Sequence, residues 1–166
     1  MEALGVGGPF DPADVRWVAV SPRLASARLA STVIVLGLPA LGGAVAAGLS
    51  GLAGLWAIPA VLVALGLWAT WLIPRQVRAV RYAERADDLL IRKGIMFRSM
   101  VVVPYGRMQY VDVQAGPLAR AFGIASVQLH TASPSTDAVI DGLPPAEATR
   151  LRDQLASRGE ARLAGL

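Results

Sequence analysis

The chain has no cysteine and a single histidine. Without cysteine, disulfides, thiolate chemistry and cysteine-ligated zinc or iron–sulfur centres are excluded. His130 has no cysteine and no Glu-rich cluster beside it to complete a metal set or a nucleophile–base pair, so a structural or surface role is expected. No G-x-x-x-x-G-K-[ST] run is present, which removes the phosphate-loop reading. The most telling absence is of charge: residues 29–74, between Arg28 and Arg75, contain no Asp, Glu, Lys or Arg. A transmembrane helix needs about 20 apolar residues to cross roughly 30 Å of hydrocarbon, so this gap holds two spans and a turn. With no ionisable group inside it, the gap also argues against a proton or ion path.

The spans are expected at about 29–49 and 55–73, joined by a five-residue link from Ser50 to Gly54. Each Leu, Ile or Val near a span centre favours insertion by roughly 0.3–0.6 kcal/mol. Ala40, Ala44 and Gly48 recur every four residues, as do Ala60 and Ala64, and these small residues form a candidate helix–helix seam. Arg16, Arg23 and Arg28 precede the first span, Arg75, Arg78 and Arg81 follow the second, and the link carries no charge. By the positive-inside rule both termini are cytoplasmic and the protein is a multi-pass cell-membrane protein. Trp68, Trp71 and Trp56 sit where aromatic belts form. A competing reading takes Ala44-Val45-Ala46 as a signal-peptide cleavage site. The long preceding segment with Glu2, Asp11 and Asp14, and the second span that follows at once, argue against it.

On either side of the hairpin (21–75) the character changes. Residues 1–20 read as a disordered or interfacial segment, with Ser21-Pro22 as a helix start and Trp17 as an anchor in the inner interface. Residues 76–160 read as a cytoplasmic β-rich domain after a short basic helical exit. Asp88 to Lys93 alternates, with Leu89 and Ile91 on one face and Leu90 and Arg92 on the other; Gly94 turns the chain into a strand from Phe97 to Val103. Met108 to Val113 and Ile124 to Thr131 are further strands, the latter with Ala125, Val127 and Leu129 inward. A polar loop over 131–137 leads to a short strand at Ala138 to Ile140. Pro144-Pro145 then opens a helix to about Ser157 with Ala148, Leu151 and Leu155 as its apolar stripe. Asp87-Asp88 fits turn chemistry, since neighbours on an extended chain point to opposite faces.

Several motifs combine here: the Arg92-Lys93-Gly94 turn, the strand Arg107-x-Gln109-x-Val111-x-Val113, and the turn Gly-Pro-Leu-x-Arg-x-Phe-Gly from Gly116 to Gly123. Together with the preceding helix pair they resemble the bacterial pleckstrin-homology-like membrane proteins of the YdbS type, over roughly residues 16 to 158. The resemblance implies an α+β membrane protein: a two-helix transmembrane hairpin followed by a PH-like split β-barrel of about seven strands, capped by a C-terminal helix. It implies a place at the inner leaflet beside another PH-like membrane protein. It also makes Gly94, Arg107, Gln109, Gly116 and Gly123 structural motif positions.

Arg75, Arg78, Arg81, Arg92, Lys93 and Arg98 form the one charge feature above background, suited to contact with anionic headgroups or to setting topology. No catalytic, metal or cofactor residue is expected, and neither nucleic acid nor a small-molecule substrate. The functional expectation is a non-enzymatic membrane protein whose domain mediates assembly with another PH-like membrane protein or with a second copy of itself. The alternative is an anionic-lipid-binding or membrane-surface sensing module.

Overall fold

A computed structural model of the chain describes residues 15–132 and 137–163. The expected disorder over the first residues and most of the polar loop before Asp137 lie outside the described residues. The chain forms two compact units: one spans Ala25–Arg75, and the other joins residues up to Leu24 with those from Gln76 onward.

In the first unit, α1 (Arg23–Thr32), a π-helical turn (Val33–Gly37) and α2 (Leu38–Ser50) make one continuous helix of 28 residues. The π turn falls directly before Pro39, whose missing N–H and bulky ring break the ordinary ladder at Val35. A 3-10 turn (Ala53–Trp56) and α3 (Ala57–Ala79) make the second helix, of 27 residues. Both are long and apolar enough to cross a membrane. The link is shorter than the expected Ser50–Gly54, because Leu55 N–H donates to Leu52 O at 3.1 Å and helix resumes at Ala53. That tightening satisfies backbone groups at the apex.

The seam agrees with the expected one only in part. Between Val33 and Ser50, Leu36, Ala40, Gly43, Ala44 and Ala47 are partly or fully buried, so Ala40 and Ala44 take part as expected; between Ala57 and Thr70, Pro59, Leu62, Gly66 and Ala69 are. A side chain on Gly43 would meet Pro59 Cδ at 3.5 Å. Gly48, Ala60 and Ala64 are exposed. The reason is geometric: steps of four alone walk around a helix by about 40° each, whereas alternating threes and fours stay on one face.

Among the described residues of the second unit, seven strands form two antiparallel sheets, as the split-barrel reading requires. One has the order β1 (Val18–Ala19), β2 (Arg81–Glu84), β3 (Asp88–Lys93), β4 (Ser99–Pro104); the other has β5 (Met108–Gln114), β6 (Ala125–Thr131), β7 (Ala138–Leu143). Two differences from the sequence reading matter. Val18–Ala19, within the segment expected to be disordered or interfacial, is a strand paired with β2, and Arg81 begins a strand where a helical exit was expected. Tyr82 and Ala83 are both fully buried, and that burial fixes β2 as extended. The sheets are joined where Ser21 N–H donates to Gly142 O at 2.8 Å and Lys93 Nζ donates to Val139 O at 2.5 Å.

β6 shows the expected alternation, with Ala125, Val127, Leu129 and Thr131 buried. β7 runs three residues past Ile140, to Leu143. α4 (Pro117–Ala121) occupies the Gly116–Gly123 turn, and α5 (Pro145–Leu163) extends beyond Ser157. Ala148, Leu151 and Leu155 of α5 are fully buried, so its stripe closes the barrel interior.

Gly142 packs against Leu24 within this same unit. Its φ is +78°, and an added Cβ would lie 2.7 Å from Leu24 Cβ. Gly142→Ala should therefore cost about 2 kcal/mol or more in denaturant unfolding of the detergent-solubilised chain. Gly48→Ala, with nothing within 4 Å of the new methyl, should be neutral or slightly stabilising.

Candidate functional site: a basic strand end and an open strand edge

At one end of the first sheet, Ala19 pairs with Arg81, Arg81 with Arg92, and Arg92 with Met100. Three of the expected basic residues, Arg81, Arg92 and Lys93, thus come together at the ends of β2 and β3. The Arg92 guanidinium lies 4.9 Å from the Trp17 ring centroid, a cation–π contact. Arg98 is exposed in the connection from β3 to β4. Arg78 is exposed near the end of α3, and the Arg75 guanidinium stands 3.5 Å over the Trp71 ring.

The motif residues fall at chain reversals. Gly94, with φ +95°, opens the β3–β4 tip, and any Cβ there would lie 2.0 Å from Phe97 O. Arg107 ends the 3-10 turn Tyr105–Arg107, and its carbonyl accepts from Ala132 N–H at 3.4 Å. Gln109 sits in a bulge of β5, between Met108, paired with Thr131, and Tyr110, paired with His130. Gly116 O accepts from Arg120 N–H at 2.9 Å, and Gly123 N–H donates to Arg120 O at 3.0 Å.

A second feature lies across the domain. Among the described residues, β5 pairs with β6 on one side and with no strand on the other. Beside its free edge runs a groove of about 250 Å³, lined by Met108 to Val111 and by Leu155, Ala156, Gly159 and Glu160 of α5. Tyr110 is exposed there and stacks on His130 at 4.2 Å. His130 Nδ1 lies 3.4 Å from Asp137 Oδ2. Among the described residues, no group of three His, Asp or Glu side chains could hold a metal ion.

Residues 24–159 match the Bacterial PH domain family. The chain belongs to that family. Over 86 residues it is 36% identical to the UPF0699 transmembrane protein YdbS of Bacillus subtilis (strain 168). The match covers 51% of this chain and 53% of that protein, so the chain spans about half the length of the curated relative it matches. No solved structure matches it. With its two apolar helices, it is an α+β membrane protein carrying a bacterial PH domain.

Sequence reasoning missed two features of this bacterial PH domain. One is the tip itself: Ile95, Met96 and Phe97 point outward rather than forming strand. An apolar triplet directly after a turn glycine was its only signal. The other is a polar tie from β2 to α5. The buried Tyr82 hydroxyl donates to Glu147 Oε1 at 2.9 Å. Arg150 bridges Glu147 and Glu84, with its Nη2 at 2.6 Å from an oxygen of each. Arg150 stays exposed on α5 while its bidentate pairing with Glu147 and its contact with Glu84 tie the helix to β2.

The hydrogen bond from Arg150 holds the Glu147 carboxyl below its ordinary value of 4.5, with the Tyr82 bond adding to it against the effect of burial. Burial, followed by the bond to Glu147, pushes the Tyr82 hydroxyl well above its ordinary value. A depressed carboxylate contributes stability that is present above pH 4.5 and lost as pH falls through its folded value. Acid unfolding of Glu147→Gln should accordingly show a flatter pH dependence below that point. At neutral pH, Glu147→Ala should cost about 1–3 kcal/mol, because it leaves the Tyr82 hydroxyl without its partner.

Proposed function

We propose that this chain is a non-enzymatic, multi-pass cell-membrane protein with both termini in the cytoplasm. Its PH-like domain assembles at the inner leaflet with another PH-like membrane protein. The observation that carries the reading is the free edge of β5 beside the α5 groove. An edge strand offers a row of N–H and C=O groups that an extended segment of a partner can complete, while the adjoining groove takes its side chains. The Met108 and Leu155 side chains give that groove an apolar floor, and Gln109 and Tyr110 stand exposed along the edge. Orientation is supported by the arginines that flank both spans and by their absence from the link. The pairing of β1 with β2 supports a common side for the two flanks.

A second reading, an anionic-lipid binder, is favoured by the clustering of Arg81, Arg92 and Lys93 at one strand end. Each basic side chain near an anionic leaflet contributes about 1 kcal/mol, screened by salt. On that reading the strand-edge variants below leave membrane contact untouched.

Affinity purification of the full chain in mild detergent separates these readings. Assembly predicts recovery of a second membrane protein bearing PH-like domains. Gln109→Lys with Ala156→Trp should block edge and groove together and reduce that recovery roughly tenfold, equivalent to about 1.4 kcal/mol. Recovery of the chain alone in each mild detergent would contradict the assembly reading.

A further inference from the structure

The β3–β4 tip is out of place on a water-facing surface. Met96 and Phe97 are each 86% exposed and Ile95 is 43% exposed, three adjacent apolar side chains at the end of a hairpin. The shape is fixed by Gly94, because no other residue fits with Phe97 O where it lies. A turn held rigidly so that Met96 and Phe97 point away from the domain core calls for an apolar environment outside the domain.

Topology identifies that environment. The chain leaves β1 beyond Ala19 towards the first span and returns from the second at Arg81. Ala19, Arg81, Arg92 and Met100 are in register across the sheet. The tip therefore leaves the sheet at the strand end to which both membrane helices are joined. Along the chain the flanking charge is of one sign: Arg92, Lys93 and Arg98 flank the triplet, and no acidic residue occurs between Asp88 and Asp112. Three side chains are also far too few for a protein interface, which buries about 800 Å² per partner.

We infer that Ile95, Met96 and Phe97 form a membrane-inserting loop. Met96 and Phe97 enter the boundary between headgroups and acyl chains, and Arg98 with its basic neighbours remains among anionic headgroups. Side chains of this kind reach about 5–10 Å into the interface. The domain would then be held to the leaflet at a third point besides the two helices. The inference rests on the membrane-anchored reading of the hairpin.

The absence of cysteine makes the test clean, since any introduced thiol is unique. The full chain carries Met96→Cys, Phe97→Cys, Ala86→Cys or Leu65→Cys, is labelled with an environment-sensitive fluorophore and is placed in nanodiscs containing phosphatidylglycerol. Ala86 lies in the β2–β3 turn at the opposite strand end and reports water; Leu65 lies in the second span and reports the anchor. The probes at 96 and 97 should show blue-shifted emission and quenching by lipids spin-labelled near the headgroup, while the probe at 86 shows neither. Phe97→Asp should reverse the shift at 96. The probe at 65, at the middle of the second span, is read with lipids spin-labelled deep in the acyl chain. If the probes at 96 and 97 match that at 86 while the probe at 65 is quenched by the deep label, the inserting loop is overturned and the anchor stands. A probe at 65 that the deep label leaves unquenched overturns the anchored reading, and the loop with it.

Discussion

Two residue pairs, Val18 with Tyr82 and Ala19 with Arg81, join the chain before the membrane helices to the chain after them. Everything else in the arrangement depends on that short ladder. It makes the PH-like sheet discontinuous in sequence, so the helical hairpin is an insertion between neighbouring strands. It also fixes which strand ends the chain joins to the membrane helices. Two residue pairs are too few to hold by themselves, and the surrounding residues supply the rest. Trp17 packs under Arg92, Val20 is buried, Ser21 bonds to Gly142, and Leu24 fills the space above that glycine.

The domain built on this seam divides its surface in two. The strand end carrying Arg81, Arg92, Lys93 and the exposed triplet has the chemistry of a membrane contact. The β5 edge and its groove have the chemistry of a strand acceptor. Between them lie polar ties that keep α5 in place: Tyr82 with Glu147, Arg150 with Glu84, and Arg158, whose Nη1 donates to Arg85 O at 2.8 Å beside the buried Tyr105. These ties hold α5 against the barrel, and the position of α5 in turn shapes the groove.

Much of this was legible in the residues. The uncharged stretch gave the two helices, the β6 alternation gave a half-buried strand, and Ala148, Leu151 and Leu155 gave the packed face of α5. What stayed hidden has physical reasons. β1 is two residues long and owes its structure to a partner far along the chain, so no local period reports it. β2 carries Arg81 and Glu84 around a buried pair, and the basic run leading into it reads as helix. β3 buries Leu90 as well as Leu89 and Ile91, and alternation does not describe a strand covered on both faces. The helix seam was read only in part, Ala40 and Ala44 but not Gly48, Ala60 or Ala64, because small residues are so abundant that regular spacing alone does not select the packed ones. At the site, the basic residues were legible as a run along the chain. Their grouping at one strand end depends on register, which only the fold supplies.

The central claim, that the segments on either side of the hairpin form one sheet, is tested most directly by a cross-link between register partners. With no native cysteine present, Ala19→Cys with Arg81→Cys gives the chain its only two thiols, on neighbouring strands. Mild oxidation in native membranes should close an intramolecular disulfide in nearly every molecule, seen as a mobility shift reversed by reductant. A chain that stays reduced, or that cross-links only to other copies, would contradict the pairing and the shared side of the membrane that follows from it.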